Sequence, residues 1–192
     1  KPEGKLAEEV LSSLLNHLNS GYPARSFDRN SKENPVIKNL FLLTDKPMIY
    51  VANIDDVGSN EKQLQKASCV AQENSSSFIK INGKLESEMA DFDEEEKKMI
   101  LKDYNITESG LNTLIREAYN SLGLETFFTC GNKEVRAWTM KSGSHAVEAA
   151  GEIHTDFSTK FIKAEIFSFN DAIKNKEKIN ELKTMGLVKM VG

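Results

Sequence analysis

The chain of 192 residues is poor in cysteine, proline and tryptophan, with two, four and one respectively. Cys69 and Cys130 stand apart, with no Cys-x-x-Cys pair and no clustered histidine, so neither a zinc framework nor a disulfide scaffold is expected. Two free thiols fit a reducing cytoplasm. No run of ~18 apolar residues occurs, which leaves no membrane span to expect. The amino-terminal stretch Lys1 to Lys5 runs into Glu8 and Glu9 without the apolar region of a secretory signal. The first residue is not methionine, and the chain is expected to be part of a longer one. An excess of positive charge is also missing. Residues 1–124 hold 15 Lys and Arg against 20 Asp and Glu, and residues 125–192 hold 10 against 9. Strong non-specific nucleic-acid binding calls for a basic segment, so DNA is not expected and any RNA contact must come from a local patch. Finally, the run Gly-x-x-x-x-Gly-Lys followed by Ser or Thr is absent. That run holds nucleotide phosphates with backbone amides and a lysine, and its hydroxyl reaches magnesium. The pair Gly83-Lys84 has neither the earlier glycine nor the hydroxyl residue. No catalytic residue and no metal ligand is therefore assigned, and the chain alone is expected to be inactive as a hydrolase.

What is present is a mixed pattern. Leu6, Val10, Leu11, Leu14, Leu15 and Leu18 recur at spacings of three and four, which predicts a helix over 5–20 stopped by Gly21 and Pro23. A polar connector follows to Asn34, then a short helix over 36–43. Met48 to Ala52 is a short apolar run behind a breaker, the mark of a strand covered on both faces in a parallel sheet. Helix is expected at 64–73, strand at 77–81, helix at 86–90 and 94–102, and an amphipathic helix at 110–122. After Gly123-Leu124 the character changes. Strands at 125–130 and 134–140 flank the turn pair Gly131-Asn132. A short helix at 146–150, a strand at 161–169, helix at 170–173 and 177–185, and a last strand at 187–191 complete an α+β pattern. Trp138 reads as core. The acidic run Asp91 to Glu96 reads as an exposed helix start, without the glycine of a calcium loop.

Ligands of open α/β sheets sit beyond the carboxyl ends of the strands. Asn53-Ile54-Asp55-Asp56 follows the first strand and Asn82-Gly83-Lys84 the second. An Asn carboxamide and a carboxylate three residues on can bond a purine, and backbone amides of the second loop can meet it from the other side. The same residues also suit ordinary helix-capping turns.

Leu42 to Asn53, Gly110 to Tyr119, Thr126 to Gly131, Lys133 to Thr139, Ala149 to Phe157 and Phe161 to Glu165 together resemble the YchF family of Obg-like P-loop ATPases over residues 5–192. The resemblance implies an α/β plus α+β chain. Residues 1–34 would end a helical arm, residues 35–124 would carry part of a P-loop NTPase parallel sheet, and residues 125–192 would form a β-grasp (ubiquitin-like) TGS domain, incomplete at its end. It implies a ribosome-associated NTPase whose parent protein hydrolyses ATP, or GTP, with Mg2+, and whose partner is the large ribosomal subunit or its RNA. Asn53, Ile54, Asp56, Asn82, Gly83 and Lys84 would contact the base. The family's Asn-x-x-Glu favours adenine; here Asp56 stands for the Glu, as Asp does at that spacing in guanine-specific relatives, although Ile54 stands where those carry a Lys after the Asn. Lys133, Arg136, Lys141, Lys160 and Lys163, with His154 nearby, would form an RNA or ribosome contact. The alternatives are an RNA- or ribosome-binding module without hydrolase activity and a ligand-sensing regulatory domain.

Overall fold

The computed structural model describes residues 2–55, 61–131, 134–174 and 179–192. They divide into two units, Lys1–Leu122 and Gly123–Gly192.

The first unit opens with α1 (Pro2–Asn19). Leu6, Val10, Leu14 and Leu18 form its inward stripe, with Val10 and Leu14 in a core shared with Ala24 and Ile37, while Leu11 and Leu15 stay exposed. Ile37 belongs to α2 (Asn34–Lys38), where Pro35 fits the first turn because no amide is needed there. This helix ends earlier than its sequence predicts. Phe41 takes a positive φ of 50°, which helical geometry forbids, and its ring is left exposed. The polar connector is pinned rather than loose. Ala24 N–H donates to Thr44 Oγ1 at 3.2 Å and Arg25 Nη1 to the Thr44 carbonyl at 3.1 Å. Arg29 meets Asp45 at 2.7 Å with both side chains mostly buried.

Next comes a β–α–β unit: β1 (Ile49–Asn53), α3 (Glu61–Glu73) and β2 (Ser77–Ile81). The strands pair in parallel, with Val51 opposite Ile79 and Asn53 opposite Ile81. The expected cover on both faces of β1 is not found among the described residues. Val51 is 48% exposed while its neighbour Ile79 is buried. The reason is that α6 (Gly110–Leu122) lies chiefly against β2, not β1. Helix α4 (Gly83–Glu88) starts directly after β2, with Asn82 as its cap, and α5 (Glu94–Asp103) is a separate helix. Asp93 begins α5 with a reciprocal capping box to Glu96, which accounts for the acidic run.

The second unit contains the antiparallel pair β3 (Leu124–Cys130) and β4 (Val135–Lys141), then α7 (Ala146–Ile153) and α8 (Thr155–Thr159). Nothing in the sequence marks α8 as apart from α7. His154 supplies the punctuation: its extended backbone stops α7, and its Nδ1 accepts the Asp156 N–H at 3.1 Å to start α8. The long strand expected at 161–169 shrinks to β5 (Ala164–Ile166), because its antiparallel partner β6 (Lys189–Val191) offers only three residues. Phe169 instead opens α9 (Phe169–Lys174), and α10 (Ile179–Thr184) follows. Phe128 and Phe169 stack with ring centroids 5.2 Å apart.

Candidate functional site

The parallel pairing of β1 and β2 brings residues 30 positions apart to one sheet edge. Asn53 is the last residue of β1, and the ladder runs one step further through Ile54 N–H to the Ile81 carbonyl at 2.9 Å. Past Ile81, Asn82 leaves the sheet with extended φ and ψ and accepts the Leu85 N–H on Oδ1 at 3.1 Å. Gly83 N–H then donates to Asn53 Oδ1 at 3.1 Å. That bond settles which end of the Asn53 carboxamide is oxygen, and leaves Nδ2 as the group able to donate outward.

Gly83 owes its place to this approach. A Cβ there would lie 3.1 Å from Asn53 Oδ1 and 3.7 Å from Nδ2, tighter than a carbon–oxygen contact permits without movement. Lys84 is exposed and points its ammonium toward Glu88 at 3.9 Å. Its first-turn amide falls outside the helix's own hydrogen-bond ladder. Asn53, Ile54, Asn82, Gly83 and Lys84 are thus neighbours at one edge. Asp56 lies outside the described residues.

Two further contacts hold this edge. Leu85 and Met89, in and just after α4, are buried. Glu86 Oε1 accepts the Gly110 N–H at 2.6 Å, and Gly110 itself rests against Ile81. Nothing in the sequence singles out Glu86: a carboxylate in a first helical turn is ordinary, and its partner is far along the chain. At the opposite end of the sheet a cavity of about 430 Å³ is lined by Arg25, Met48, Asn74, Ser77, Asn120 and Ser121 among others. It sits at the amino ends of both strands, away from the edge where α/β sheets bind ligands.

In the second unit the described members of the proposed cation set are dispersed. Lys133 lies outside the described residues. Arg136 and Lys141 are both on β4 with opposite parity, so they leave opposite faces of the hairpin. The Arg136 guanidinium lies over the Trp138 ring, 4.3 Å from its centroid. Trp138 is half-buried, not core, and its Nε1 donates to Thr129 Oγ1 at 2.9 Å. Lys160 caps the end of α8, and Lys163 precedes β5; both are exposed. His154 is committed to its helix cap.

Comparison with known proteins follows the same division. Residues 124–192 match the family model YchF-GTPase_C, described as a protein of unknown function (DUF933). The ribosome-binding ATPase YchF of Bacillus subtilis (strain 168) is 42% identical over 170 residues, which cover 86% of this chain and 46% of that protein. The ribosome-binding ATPase YchF of Escherichia coli O157:H7 is 37% identical over 175 residues, covering 91% and 48%. The solved structure of the Schizosaccharomyces pombe YchF GTPase superposes with a TM-score of 0.82 at 32% identity, over 96% of this chain and 50% of that one. The chain spans about half the length of the curated relatives it matches. By sequence across both units and by fold, the chain belongs to the YchF family and corresponds to the C-terminal portion of its members.

Proposed function

We propose that this chain supplies base recognition and an interaction module to a cytoplasmic, ribosome-associated P-loop NTPase that hydrolyses ATP. The observation that carries the reading is the Gly83 N–H to Asn53 Oδ1 bond, which joins the two strand-end loops into one edge. With its oxygen engaged, the Asn53 carboxamide presents Nδ2 to an acceptor. Purine N7 is such an acceptor on adenine and guanine alike, so Asn53 selects a purine without choosing between them. Ile54, half-buried beside it, closes the slot against water, and the Asn82–Lys84 loop meets the base from the other strand. The choice falls to Asp56. An ionised carboxylate only accepts hydrogens, and it can take them from the N6 amine of adenine or from N1 and N2 of guanine. The name ATPase borne by relatives at about 40% identity supports adenine, while the Schizosaccharomyces pombe relative bears the name GTPase.

The nucleotide's phosphates and Mg2+ are assigned to no residue of this chain, since its sequence carries no phosphate loop. Bound Mg2+ would neutralise charge on the transferring phosphate; this chain's part is to hold the base end. The second unit, read as a TGS domain of β-grasp type, would contact the large ribosomal subunit or its RNA through Lys133, Arg136, Lys141, Lys160 and Lys163.

Competition between ATP and GTP for the full-length parent tests the base assignment, and equal affinity or GTP preference overturns adenine. Co-sedimentation with ribosomal subunits at rising salt tests the second unit. Phosphate contacts predict binding that falls steeply with salt, and salt-independent binding rejects them.

A further inference from the structure

Helix α4 is only six residues long, too short to hold its own conformation in water, yet its first two residues form half of the proposed base slot. Burial of Leu85 and Met89 fixes its inner face. The rotation and height of its first turn require a further constraint, and Glu86 provides one. Its Oε1 accepts the Gly110 N–H at 2.6 Å, at the start of α6, where the helix dipole favours a carboxylate. Gly110 in turn is packed so closely on Ile81 that an added Cβ would lie 3.0 Å from both of that residue's γ-carbons. Ile81 immediately precedes Asn82. A closed circuit results: strand end, loop, α4, Glu86, Gly110, and back to the strand end. Helix α6 is anchored at its far end as well, where Ser77 Oγ donates to Glu117 Oε2 at 2.7 Å. Glu86 is therefore tied to a rigid reference.

We infer that Glu86 is a positioning residue for base recognition, latching the Asn82–Lys84 loop to α6 so that Gly83 meets Asn53 before nucleotide arrives. This rests on the base-site reading above. A loop that occupies its binding geometry only part of the time weakens apparent affinity by that fraction. The latch acts on the base end alone, so phosphate binding should not depend on it.

The test uses the full-length parent, with ATP and inorganic tripolyphosphate as probes. Glu86→Ala is expected to weaken ATP about tenfold while leaving tripolyphosphate affinity unchanged, which also shows that the protein is folded. Glu86→Gln keeps the acceptor oxygen and should stay within about threefold of wild type. Asn53→Ala separates the two claims. If Asn53→Ala loses ATP affinity and Glu86→Ala does not, the latch is refuted and the base site stands. If Glu86→Ala weakens both probes equally, its role is structural and the inference fails. If Asn53→Ala leaves ATP affinity intact, the base site falls and the latch with it.

Discussion

Replacing Gly110 by alanine should destabilise the first unit, although glycine to alanine in a helix usually does the opposite. The gain from helix propensity is at most about 1 kcal/mol, and smaller at a first helical residue. Against it stands a collision. The new Cβ would lie 3.0 Å from Cγ1 and Cγ2 of Ile81 and 3.2 Å from its Cβ. Carbon atoms prefer about 3.5–4.0 Å, so each contact is short by roughly half an ångström. A rotamer change cannot clear it, because Ile81 Cβ is fixed to a strand backbone paired with β1 and its χ1 is restricted by branching. Helix α6 would have to move away from β2, against its bonds to Glu86 and Ser77. Overpacking of this kind costs about 1–3 kcal/mol, which leaves a net loss of about 1 kcal/mol and a fall in melting temperature of about 4 °C for the unit. Thermal unfolding by circular dichroism, with hydrogen exchange at β2 amides to identify the unit, measures it. Adding Ile81→Ala removes the two 3.0 Å γ-carbon contacts, leaving only the 3.2 Å one to Cβ, and should reveal a favourable coupling of about 1 kcal/mol in a double-mutant cycle. A rise in melting temperature for Gly110→Ala, or zero coupling, would refute the reasoning.

Three further outcomes follow from particular contacts. Asp45→Ala strands Arg29, whose side chain is 19% exposed, and should cost about 2 kcal/mol in urea unfolding. The two atoms meet at 2.7 Å off the hydrogen-bonding angle, so the attraction is ionic, and the double change Arg29→Met with Asp45→Leu should recover most of the loss; a neutral Asp45→Ala contradicts this. Gly83→Ala should push the Asn53 carboxamide aside and weaken ATP binding by the parent about fivefold with little change in stability, as fluorescence titration would show; unchanged affinity would argue against the slot. The hydrogen bond from Lys98, then its charge, holds the Glu95 carboxyl below its ordinary 4.5, and the same bond, then the Glu95 charge, raises Lys98 above 10.5. The support this pair lends α5 is present above 4.5 and lost as pH falls through the lowered Glu95 value; at the basic end it is present below 10.5 and lost as pH rises through the raised Lys98 value. A carbon-13 titration should place the Glu95 midpoint below 4.5, and Lys98→Ala should return it; a midpoint unmoved by Lys98→Ala refutes the pairing.

Local elements were readable where periodicity and breakers agree. The strand at 77–81 and the helix at 110–122 occur with the bounds expected of them. The hairpin partners flanking Gly131 shift by one residue only. Two of the misses share a cause, which is dependence on a distant partner. Phe161 to Phe169 has the composition of a strand, but pairing extends only as far as β6 does. Met48 to Ala52 has the composition of a doubly covered strand, but α6 settles over its neighbour. At the candidate site, the positions of Asn53, Asn82, Gly83 and Lys84 at strand ends were legible, because strand ends follow from apolar runs.

By itself the sequence determined the alternation of helix and strand, the two chemically distinct stretches around Leu124, the family, and the lack of a phosphate loop, since these depend on neighbouring side chains and on residue identity alone. Tertiary structure decided that Gly83 reaches Asn53, that Glu86 reaches Gly110, and that Gly110 has no room for a side chain. Such contacts are set by strand register and helix placement, and those are fixed only when residues far apart in the chain bury surface together.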